Sequence, residues 1–87
     1  MYVTRIEFAG FKPTPNGPFS GSVVLVSEDT RMQIPLTMPR RVEVQHSRHR
    51  LLLLAEALRK ARRIPDYRQR GRLRFAPGVL PPELRRA

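Results

Sequence analysis

The sequence predicts an α+β fold: a small antiparallel β-meander of three strands, or four if the tail adds one, packed by one amphipathic helix in the carboxyl-terminal half. A basic, proline-rich tail follows. Three observations carry this expectation. The first half alternates apolar and polar residues at period two, an apolar stripe of helical period spans residues 47–64, and arginines and prolines crowd the last quarter. The expected division is residues 1–64 as a single β-β-β-α domain and 65–87 as the tail, partly ordered or added to the sheet as an edge strand.

The first strand is read over residues 2–8, where Tyr2, Thr4, Ile6 and Phe8 alternate with Val3, Arg5 and Glu7. Residues 9–19 hold Gly10, Pro13, Pro15, Asn16, Gly17 and Pro18, so many turn formers that a long loop is expected in place of a tight hairpin. The run Val23, Val24, Leu25, Val26 is apolar on both faces, as a central strand requires. Ser27, Glu28, Asp29 and Thr30 make a polar turn into a third strand, in which Met32, Ile34, Leu36 and Met38 alternate with Arg31, Gln33, Pro35 and Thr37. Pro35 cannot donate to a ladder, which places this strand at an edge or at a bulge. Alternation alone leaves the hairpin register open. A two-residue loop pairs Leu25 with Met32, and a three-residue loop pairs Val26 with Met32.

Val42 and Val44 suggest a short extension before Ser47, the expected N-cap of a helix of about 17 residues that Pro65 terminates. Leu51, Leu54, Ala55, Leu58 and Ala61 form its apolar stripe, opposite His49, Glu56, Arg59, Lys60 and Arg63. Glu56 stands four residues before Lys60, the favourable order for a helical ion pair. Leu52 and Leu53 fall off the stripe and are candidates for a protein interface, to be covered by the tail, a second copy (a homodimer) or another protein. In the tail, Arg70, Arg72 and Arg74 alternate with Gly71, Leu73 and Phe75.

Charge is the main functional signal. The net charge is +10, yet Arg5, Lys12 and Arg31 balance Glu7, Glu28 and Asp29 in residues 1–39, so the whole excess belongs to residues 40–87. A field of this kind attracts polyanions, whether nucleic acid (DNA or RNA), an acidic protein surface or anionic lipid. The expected function is a small basic nucleic-acid-binding protein, with phosphate contacts from Arg48, His49, Arg50, Arg59, Lys60, Arg63, Arg68, Arg70, Arg72 and Arg74. Readout by the sheet is disfavoured, because the sheet half carries no net charge. The alternative is a non-enzymatic interaction or assembly module, a homo-oligomer, accessory subunit or inhibitor docking on an acidic partner. Phe11, Phe19, Tyr67 and Phe75 are candidate rings for stacking on single strands.

Other chemistries find little support. The chain has no cysteine, which removes disulfides, thiolate metal sites and cysteine nucleophiles and favours a reducing, cytoplasmic compartment. Its longest apolar runs, 23–26 and 51–55, are far short of the roughly 20 residues of a membrane span, and no export signal is read at the amino terminus. Glu43, His46 and His49 are spaced by three, but without a second cluster they are read as surface groups and no metal is expected. No cofactor is expected either, since Gly10, Gly17 and Gly21 fit no phosphate-cradling spacing. No catalytic signature is found, so an enzyme is not expected; a small basic nuclease working through a histidine is the enzymatic alternative.

Overall fold

The computed structural model describes residues 1–39, 41–63 and 73–84. Along the chain run β1 (Tyr2–Val3), β2 (Arg5–Pro13), β3 (Phe19–Val26), β4 (Arg31–Met38), α1 (Ser47–Ala61), β5 (Arg74–Phe75) and a single 3-10 turn at Pro82–Leu84. The strands β2, β3 and β4 form an antiparallel sheet in that order, and α1 packs against it. This is the α+β architecture expected from the two periodicities, with β3 central and the Pro35 strand at an edge.

The β3–β4 hairpin pairs Leu25 with Met32, the register of the two-residue loop. Polar side chains in the turn explain the choice. Ser27 N–H donates to the Thr30 carbonyl at 2.8 Å, Thr30 N–H donates to Ser27 Oγ, and Ser27 Oγ contacts Asp29 Oδ1, which leaves only Glu28 and Asp29 at the tip. This register points Val23, Leu25, Ile34, Leu36 and Met38 to one side, where they join the core. Val24 and Val26, on the other side, are also buried although no helix or strand among the described residues packs over them. Their cover comes from long side chains on the flanking strands, where Glu7 bridges Arg5 at 3.0 Å and Arg31 at 2.6 Å across the sheet.

The first strand and the loop after it differ from expectation. Residues 2–8 are not one strand. Thr4 breaks them, with its N–H and hydroxyl both donating to the Val26 carbonyl, and β1 leaves the main sheet to pair in parallel with β5. Strand β2 then continues through Pro13, so the long loop shrinks to residues 14–18 and the connection is a hairpin after all. The turn residues misled because two of them serve the strand. Gly10 takes φ 70 at a bulge where Gly10 and Phe11 stand opposite Gly21, and the pairing resumes at Lys12 and Ser20. The tip is closed by Gly17 N–H donating to the Thr14 carbonyl at 3.0 Å.

The helix begins one residue earlier than expected, at Ser47 itself. His46 is the N-cap, without a side-chain capping bond, and Ser47 is the first helical residue. The reason lies upstream, where residues 43–46 form a turn instead of an extension: His46 N–H donates to the Glu43 carbonyl at 2.9 Å and feeds the chain into the helix. The end comes at Ala61 with Arg62 as C-cap, giving 15 residues.

The buried stripe of α1 is Leu53, Leu54, Ala57, Leu58 and Ala61. Leu53 is therefore no interface residue but part of the core, at 0% exposure, whereas Leu52 stands 50% exposed. The helix lies chiefly over β4 and secondarily over β3, which turns the flank carrying Leu53 inward. Lys60, two turns on along that flank, reaches the Pro35 carbonyl of β4 with its Nζ. The expected Glu56–Lys60 pair is accordingly not made, and Glu56 instead holds Arg59 at 2.7 Å.

Residues 73–84 pack on the same core through Leu73, Phe75, Val79, Leu80 and Leu84. Strand β5 does not join the edge of the main sheet; Arg74 N–H donates to the Met1 carbonyl and Ala76 N–H to the Val3 carbonyl, making a separate two-stranded parallel sheet. Val3 is fully buried there. No helix among the described residues is long and apolar enough to cross a membrane.

Candidate nucleic-acid interface

The predicted cations occupy three places. Arg48, His49 and Arg50 sit in the first turn of α1, Arg59 and Lys60 in the last turn with Arg63 just beyond, and Arg74 on β5. Arg68, Arg70 and Arg72 lie outside the described residues. From Arg48 to Arg59 the helical rise amounts to roughly 16 Å, so the α1 cations form two clusters instead of one patch.

The clusters differ electrostatically. At the carboxyl end, Arg59 is held by Glu56 and Lys60 by the Pro35 carbonyl, which leaves Arg62 and Arg63 exposed and without a carboxylate among the described residues. Cations suit this end of the helix dipole. At the amino end, Arg48 and Arg50 are exposed and unpaired among the described residues, and the first turn holds no acidic side chain. The dipole opposes them there. His49 is engaged locally, since its Nδ1 accepts from Glu43 N–H at 2.9 Å and its ring lies 4.7 Å from that of His46. Its role is to tie the 43–46 turn to the helix. No group of three or more potential metal ligands occurs among the described residues.

Because α1 leans toward β4, the inner side of β2 is only partly covered, and Ile6, Phe8 and Phe11 remain half-buried. Two grooves open there. One, of about 680 Å³, lies between Ile6 and Phe8 of β2, Arg48, Arg50, Leu51 and Leu54 of α1, and Val79 and Glu83 of the last segment. The other, of about 910 Å³, lies between the bulged end of β2, with Phe11 and Lys12, Phe19 of β3, and residues 41–45. Phe8 borders both, so the grooves are neighbours along the flank of β2.

Sequence reasoning did not include Arg5, Phe8, Lys12 or Arg41 in the site. Arg5 and Arg41 each carry an ion pair, to Glu7 and Glu43, while Lys12 has none among the described residues. The only early sign was the place of Phe8 on the apolar side of β2. Its exposure depends on where the helix rests, which no local pattern encodes.

No protein-family model, curated protein or solved structure matches this chain.

Proposed function

We propose that this protein is a small basic nucleic-acid-binding protein that contacts phosphates through the α1 cations and the arginine-rich segment 68–74. The observation that carries this reading is the charge: +10 overall, with the entire excess in residues 40–87, and with Arg48, Arg50, Arg62, Arg63 and Arg74 free of carboxylate partners among the described residues. Guanidinium groups suit the task, since their planar donors match phosphate oxygens in pairs. Seven carboxylates cannot neutralise seventeen cations, and the ion pairs among the described residues use Glu7, Glu43 and Glu56.

The test is binding of a random duplex and a random single strand at two salt concentrations. Each phosphate neutralised on duplex contributes about 0.9 to the slope of log affinity against log salt, so a five-contact site weakens steeply between low and physiological salt. Absence of binding to either at low salt overturns the proposal.

A second reading, an interaction or assembly module that forms a homodimer or docks on an acidic protein, is favoured by one observation: Leu52 stands 50% exposed on the outer side of α1. Measuring particle size in the same titration separates the two.

A further inference from the structure

Along the flank of β2, the neutral sheet half and the cationic second half meet. The sheet supplies rings: Phe8 bordering both grooves, with Phe11 and Phe19 lining the second. The second half supplies charge, with Arg48 and Arg50 beside the first groove and Arg41, paired with Glu43, beside the second. Arg48 and Arg50 lack an ion-pair partner among the described residues. Among the described residues lining the two grooves, the cations Arg41, Arg48 and Arg50 outnumber the carboxylates Glu43 and Glu83.

We infer that this trough is a binding site for single-stranded nucleic acid, with one base against Phe8 and the flanking phosphates on Arg48 and Arg50. The inference rests on the nucleic-acid reading above and narrows its substrate to unpaired strands. Half-buried rings beside unpaired cations are what a strand with free base faces can use, because stacking and phosphate neutralisation are then available together. A duplex keeps its base faces stacked inside and can offer the trough only its backbone. An acidic peptide would use the cations and leave the rings without π partners. Strand β2 spans nine residues, about 30 Å, a length suited to a site on the order of four nucleotides.

The experiment uses the full chain and three probes: a fluorescent 12-nucleotide random single strand, its 12-base-pair duplex, and polyglutamate. The chain has no tryptophan, so Phe8→Trp places a lone reporter beside both grooves. The single strand is expected to bind about tenfold more tightly than the duplex and to quench the Phe8→Trp emission, with the duplex and polyglutamate leaving that emission unchanged. Phe8→Leu should weaken single-strand binding by about tenfold and leave duplex binding as it was. Should Phe8→Leu fail to fold, the Phe8→Trp quenching carries the test alone. Equal affinity for single strand and duplex, with unchanged emission, overturns the trough while the broader basic-surface reading stands. Binding of neither nucleic acid at low salt overturns both. Quenching by polyglutamate with displacement of the single strand overturns the inference in favour of an acidic protein ligand.

Discussion

Phe11 lies directly over Gly21: a Cβ added to Gly21 would stand 2.6 Å from Phe11 Cγ and 2.8 Å from its Cα. The contact exists because the β2 bulge sets two residues, Gly10 and Phe11, against the single residue Gly21. Since backbone as well as ring blocks the space, Gly21→Ala is expected to cost about 1–3 kcal/mol, measured by urea unfolding. Gly10→Ala meets no atom within 4 Å but must hold φ 70, which should cost about 1–2 kcal/mol. A Gly21→Ala protein as stable as the parent would show that the bulge is not packed as described.

The two neighbouring leucines of α1 should separate cleanly. Leu53 is fully buried, so Leu53→Ala should lose about 2–5 kcal/mol, whereas Leu52→Ala should stay within about 0.5 kcal/mol. Thermal melts of both proteins at one concentration check this. Equal displacement of the two would contradict an α1 that turns Leu53 inward and Leu52 outward.

The two cation clusters of α1 predict unequal salt dependence. Replacing Arg48 and Arg50 with Gln should lower the duplex salt slope by about two, because both side chains are free among the described residues. The same change at Arg59 and Lys60 should do less, since Glu56 and the Pro35 carbonyl already engage them. Titrations at three or more salt concentrations measure the difference, and equal slopes for the two double variants would contradict it.

His49 offers a test of the turn before the helix. His49→Ala removes the acceptor for Glu43 N–H, which should cost about 1 kcal/mol of stability with little effect on phosphate binding. A large loss of nucleic-acid affinity at unchanged stability would instead make His49 a direct contact.

The parts of the fold fixed by local chemistry were legible in the sequence. The apolar run at residues 23–26 and the alternation from Met32 to Met38 specify a central strand and its hairpin partner, and Pro35 marks the edge. Residues 9–13 were not legible, because the glycine that permits a bulge is also a common turn former. The inward turn of Leu53 was hidden for another reason: periodicity finds an apolar stripe but not the strand it settles on, and α1 rests on β4 instead of the middle of the sheet. The candidate site suffered most. Arg48 and Arg50 were visible as charge, but their company with Phe8 depends on a gap between elements some forty residues apart, and only the packed arrangement brings them side by side.

The pairing of Tyr2 with Arg74 and of Val3 with Phe75 fastens the two extremities of the chain to each other. Closing so large a loop costs more chain entropy than any hairpin in the molecule, and two short strands repay little of it, so this clasp should form last in folding and open first. Amide exchange should accordingly be fastest at Arg74 and Ala76 and slowest in β3, and a bulky group attached at Met1 should loosen residues 73–84 while sparing the central hairpin.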